Sequence, residues 1–210
     1  MIPSPTLLTS AVRRSCALFV VLVALCFAVT GCGSPAKTVA GELGEVDAIG
    51  PRLADFDGSA ATDPVIGTTA PTIQGTSFDG GTVKIGPGAP TLVLFVAHWC
   101  PHCQREVPLL AGPFRTQLPP GTKVVTVSTS VSADRPNYPP SAWLKKNAWP
   151  TPIIADDAKS SAGTAFGLTG FPYFVVLDAS GKVVRRASGE KTVAEVLGLL
   201  SAATTPALAG

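Results

Sequence analysis

The sequence predicts an α/β domain: a central mixed β-sheet flanked by helices on both faces, with an extra N-terminal β-hairpin. Three observations carry that expectation. An uninterrupted aliphatic run at residues 92–97 has the length of a strand buried on both sides. Segments of strand and helix character then alternate as far as residue 166, and parallel pairing needs such crossovers. Finally, two strand-like stretches, 173–177 and 182–187, flank Asp178-Ala179-Ser180-Gly181, a turn that closes an antiparallel pair.

Residues 72–74 and 82–85 surround Asp79-Gly80-Gly81 and read as the opening hairpin. The buried strand 92–97 is followed by a helix from Cys100 to about Arg115, with Pro108 expected to kink it. Residues 123–128 set Val against polar residues, as a strand does, and the Pro-rich stretch 131–140 reads as a loop. A helix over 141–147 can turn Trp143 and Leu144 inward, 153–155 forms a short strand, and a helix over 158–166 stops at Gly167. The last helix covers about 193–201, and no internal repeat is visible.

The chain divides into residues 1–31, a signal; 32–65, a flexible tether; 66–203, the folded domain; and 204–210, a flexible tail. Arg13 and Arg14 precede an apolar core at 17–28, which is shorter than a membrane-spanning helix requires. Val29-Thr30-Gly31 then places small residues before Cys32, and this stretch is similar to a bacterial lipoprotein signal. That similarity implies cleavage before Cys32, a lipid on its thiol and attachment to the outer face of the cell membrane. An uncleaved anchor or an ordinary secretory signal is the alternative, and either one exports the domain.

Removing residues 1–31 leaves 14 basic residues against 14 acidic ones, with no footprint for nucleic acid. Six acidic and two basic residues lie between Gly33 and Val65, which reads as a solvated spacer. Of five cysteines, Cys16 and Cys26 leave with the signal and Cys32 is lipidated, so Cys100 and Cys103 remain. A bridge between residues three apart closes too small a loop to stabilise the fold appreciably. The pair is therefore read as a redox couple, with a reversible Cys100–Cys103 disulfide.

The run Trp99-Cys100-Pro101-His102-Cys103 carries the chemistry. If a helix opens at residue 100, its unpaired N–H groups and its dipole favour a thiolate on Cys100. Cys100 then attacks, and Cys103, one turn further in, resolves the mixed disulfide. A protonated His102 adds positive charge. His98 and His102 are the protein's two histidines, and both flank the pair.

Residues 94–103, Pro108, and Gly170-Phe171-Pro172-Tyr173-Phe174 ahead of a strand together resemble the thioredoxin fold. The extra hairpin, Gln104-Arg105-Glu106-Val107-Pro108 and the segment 176–183 are more similar to its membrane-tethered TlpA-like branch, whose members are thiol-disulfide oxidoreductases. The resemblance covers about residues 71–201. It implies a cis bond at Phe171–Pro172, which frees the Phe171 backbone to pair with an extended client; Trp99, Pro101, Phe171 and Pro172 would form a shallow client surface. It also implies a carboxylate near the dithiol at Glu106, either accepting the proton of Cys103 or lying at a solvated surface. Leu94 stands where cytoplasmic thioredoxins carry a buried Asp.

Pro101 and His102 are the pair found between the cysteines of DsbA-like oxidants, so the expectation leans to a disulfide donor or isomerase. The alternative is a TlpA-like reductase such as those serving cytochrome c maturation. No cofactor and no metal are implied; the partners are exported clients, a membrane redox protein and the membrane itself. A copper or zinc module built on His98, Cys100, His102 and Cys103 is a weaker reading, because no distant histidine completes a site. A peroxidase of the peroxiredoxin type would need a Pro and a Thr or Ser where Val93 and Ala97 stand.

Overall fold

The computed structural model describes residues 41–204. Three antiparallel strands come first in order β1 (Val46–Ile49), β2 (Thr72–Thr76), β3 (Thr82–Ile85). The main sheet combines β4 (Thr91–Val96), β5 (Lys123–Ser128), β6 (Ile153–Ala155), β7 (Tyr173–Leu177) and β8 (Val183–Ser188) in the order β6-β5-β4-β7-β8. Strands β4, β5 and β6 are parallel, whereas β7 pairs antiparallel with β4 and with β8. Helices α1 (Pro101–Ala111), α2 (Pro113–Thr116), α3 (Pro140–Lys146), α4 (Ser161–Ala165) and α5 (Val193–Thr204) complete the fold. The mixed sheet is the one expected.

Strand β4 is central and buried throughout, which explains its aliphatic run. Val93 and Phe95 point to one side, into a core with Ile73, Ile85, Phe166 and Tyr173. Leu92, Leu94 and Val96 point to the other, against Val107 and Leu110 of α1 and Leu200 of α5. The second core includes Cys100 and Cys103, so the dithiol follows the end of a central strand buried along its whole length.

The tether expectation is corrected from residue 41 onward. β1 adds a third strand to the expected hairpin, pairing Val46 with Gly75 and Ile49 with Thr72. Leu53 and Phe56 are buried, and their N–H groups donate to Ala165 O (2.9 Å) and Gly167 O (3.0 Å). Asp63 accepts two bonds from Arg186, 2.6 Å from Nε and 2.5 Å from NH2, with both side chains 1% exposed. Arg186 also donates to Ala54 O and lies over the Phe56 ring. The acidic residues of this segment are thus not all solvated. Cys32, the signal and the tail beyond Thr204 lie outside the described residues.

The first long helix also differs from expectation. It runs through Pro108 and stops at Ala111; Pro113, which has no N–H to continue the ladder, starts the separate turn α2.

Candidate active site

Cys100 is the N-cap of α1, with extended backbone (φ −73°, ψ 123°) and Pro101 following in the first helical position. Proline suits that place because its missing N–H has no intrahelical acceptor there. The N–H groups of His102 and Cys103 are likewise without an intrahelical acceptor, and the helix dipole presents its positive end at the Cys100 sulfur. Both cysteines are free thiols. Cys100 keeps 5% exposure and Cys103 none. Burial pushes the Cys103 thiol far above its ordinary value, with the neighbouring Cys100 sulfur and Glu106 adding to the effect and the Ala97 backbone opposing it. Cys100 is therefore placed to react first, and Cys103 only with help in losing its proton.

The Phe171–Pro172 peptide is cis, as the resemblance implied. The Cys100 sulfur lies 3.9 Å from Phe171 O. The Trp99 indole meets the Phe171 ring edge-on at 5.7 Å, donates to Ser130 O at 2.7 Å and carries the Arg135 guanidinium 5.0 Å above its face. Trp99, Phe171 and Arg135 thus rim the reactive sulfur. A cleft of about 450 Å³ between β3 and the start of β5 shares no residue with this surface.

Glu106 is 1% exposed and so is not a solvated surface residue. Burial raises its carboxyl to about 7, although the Lys191 N–H donated to Oε1 at 2.7 Å pulls it back. Three carboxyls are buried among the described residues. Asp63 is held by Arg186, and Asp156 accepts the N–H groups of Asp157, Ala162 and Gly163. Glu106 alone of the three bears electrostatically on Cys103. Leu94, fully buried and paired with Phe174 across β4 and β7, supplies no carboxyl from beneath.

The two histidines separate. His98 is wholly buried; its Nδ1 donates to Pro136 O at 2.7 Å and its Nε2 accepts the Ser132 N–H at 3.2 Å. That arrangement requires the neutral ring, and burial depresses its basicity accordingly. His98 anchors the loop over 130–139 and has neither nitrogen free for a metal. His102 is exposed instead, with Nδ1 3.0 Å from Glu190 Oε2 and 2.7 Å from Arg105 NH2. No hydrogen bond joins it to either sulfur among the described residues.

Glu190 and Lys191 were not singled out by the sequence reading. The signal available was the capping box Thr192-x-x-Glu195, in which Thr192 Oγ1 accepts the Glu195 N–H and Glu195 Oε2 accepts the Thr192 N–H. It marks where α5 starts and so places 190–191 in the preceding loop, but nothing local sets that loop against α1.

With this geometry in view, comparison with known proteins is informative. The profile of the AhpC/TSA family matches residues 66–186, which include the dithiol, Glu106 and Pro172. The methylamine utilization protein MauD of Methylobacillus flagellatus is 28% identical over 126 residues, covering 57% of this chain and 56% of MauD. The thiol-disulfide oxidoreductase ResA of Bacillus thuringiensis is 23% identical, covering 66% of this chain and 79% of ResA. A thiol:disulfide interchange protein of the thioredoxin family from Chlorobium tepidum superposes with a TM-score of 0.55 at 26% identity, over 65% of this chain and 95% of that one. Of most curated relatives it matches, the chain spans only 26% to 56% of the length. The fold is thus that of thioredoxin-like proteins, and, since the matched segment is more than half of the sequence, the chain belongs to the AhpC/TSA family.

Proposed function

We propose that the protein is an exported, lipid-tethered thiol-disulfide oxidoreductase that exchanges disulfides with exported client proteins through Cys100 and Cys103. The observation that carries this reading is the asymmetry of the pair: Cys100 at a helix N-terminus beside an open aromatic rim, Cys103 buried against a carboxyl with a raised proton affinity. Tethering through Cys32 and resetting by a membrane redox partner rest on the sequence alone.

In the reducing direction the Cys100 thiolate attacks one sulfur of a client disulfide, forming Cys100–S–S–client and releasing a client thiolate, which takes a proton from solvent. Cys103 then loses its proton to the Glu106 carboxylate and attacks the Cys100 sulfur. The Cys100–Cys103 disulfide forms, and the client's second sulfur leaves as a thiolate and is protonated. Two electrons have passed to the client. Donation is the same sequence reversed, with Glu106 returning the proton. The backbone of Phe171 is placed to hold an extended client segment against the Cys100 sulfur.

Pro101 and His102 favour donation, because a cation near the Cys100 thiolate stabilises the reduced couple. A second reading, net reduction, is favoured by the contacts of Glu190, which engage that same His102. A Cys103→Ser variant expressed in the native host tests the proposal: clients accumulate as mixed disulfides through Cys100. Alkylation of the wild-type protein in the cell separates the directions, a resident disulfide indicating donation and a resident dithiol indicating reduction. No adduct in the Cys103→Ser variant contradicts client exchange altogether.

A further inference from the structure

Two consecutive residues of the loop between β8 and α5 grip α1 at three of its titratable side chains, His102, Arg105 and Glu106. The Glu190 carboxylate receives Arg105 Nε at 3.1 and 3.0 Å and Arg105 NH2 at 2.6 Å, and contacts His102 Nδ1 at 3.0 Å. The next residue, Lys191, gives its backbone N–H to Glu106. Nδ1 of His102 offers one site in the ring plane, so it either accepts from Arg105 or donates to Glu190. In both cases the imidazole is committed to the Arg105–Glu190 pair.

We propose that Glu190 is a positioning residue that sets the reduction potential of the Cys100–Cys103 couple, holding His102 off the Cys100 sulfur and countering the positive charge at the mouth of the site. The inference rests on the reading that this couple exchanges disulfides. Its physical basis is that a Cys100 thiolate exists only in the reduced couple: whatever stabilises that anion makes the couple more oxidising, and whatever withholds a cation from it makes the couple more reducing. Arg105 is near enough to interact with the Cys100 sulfur. Glu190 stays ionised, its carboxyl held at about 2 by the hydrogen bonds from Arg105 and then His102. Glu190 thus moderates the oxidising character that Pro101-His102 alone suggests.

The test is equilibration of full-length protein with glutathione and glutathione disulfide at fixed pH and low salt. The dithiol loses two electrons and two protons to glutathione disulfide, giving the Cys100–Cys103 bond and two glutathione thiols. Glu190→Gln keeps the shape and removes the charge at a partly exposed site, so the fold is retained, and thermal melting checks it. The expected result is an equilibrium constant for forming the protein disulfide about fivefold smaller, equivalent to about 20 mV towards oxidising. In a His102→Ser background the same change shifts the constant by less than half as much, which a merely structural role for Glu190 does not produce. An unchanged constant, a shift the other way, or an undiminished shift without His102 overturns the proposal while leaving client exchange intact. A wild-type dithiol that never equilibrates overturns both.

Discussion

Glu106 is a buried carboxyl whose proton affinity burial raises towards neutrality. A carboxyl with 1% exposure and one backbone donor is poorly solvated as an anion, and burial lifts it to about 7 from 4.5. The folded protein therefore holds this proton more tightly than the unfolded chain. The resulting stabilisation is complete below about pH 4.5 and is lost as pH rises to about 7. Against Glu106→Gln, the wild-type protein should lose roughly 3 kcal/mol of relative stability between pH 4 and pH 8. Denaturant melts at the two pH values check this; equal differences at both would contradict it. The same variant should slow resolution of a Cys100 mixed disulfide by about 10²-fold at pH 8, measured by stopped-flow, with the first attack little changed.

At the scale of elements, the sites that organise the domain are those where a loop is tied to something distant. His98 fixes the loop over 130–139 beside Trp99, and the Asp63–Arg186 pair fixes the segment before β2 onto β8. Burial pushes the Asp63 carboxyl up, but Arg186 holds it below the ordinary range. Asp63→Ala strands Arg186 without its counterion and should destabilise the fold by about 3–5 kcal/mol in urea unfolding. Replacing both residues by apolar ones should cost less than that. The strand β4, the start of α1 and the turn at 178–181 were legible in the sequence, because an apolar run, a proline after the N-cap and an Asp-x-x-Gly turn are local signals. The segment over 41–65 was not. Its apolar residues are isolated and without period, and the buried Leu53 and Phe56 find backbone partners more than 100 residues away, at Ala165 and Gly167. Glu190 escaped notice for the same reason, since an exposed glutamate acquires meaning only from Arg105 and His102, 85 and 88 residues earlier.

At the scale of the whole molecule, the fold delivers two sulfurs of unlike character to one end of the central strand of a sheet packed on both faces. Val93 and Ala97 stand in the core and beneath the site, where they offer no hydroxyl to a peroxide. Peroxide consumption with a thiol reductant is accordingly expected to be negligible, and a fast rate would contradict disulfide exchange as the main activity. Exchange by unlike sulfurs makes a more direct demand. Iodoacetamide trapping of the reduced, folded protein, with peptide mapping over time, tests it most plainly. The account predicts modification at Cys100 at least 10²-fold faster than at Cys103, which becomes reactive only on unfolding. Equal rates, or Cys103 reacting first, would contradict it.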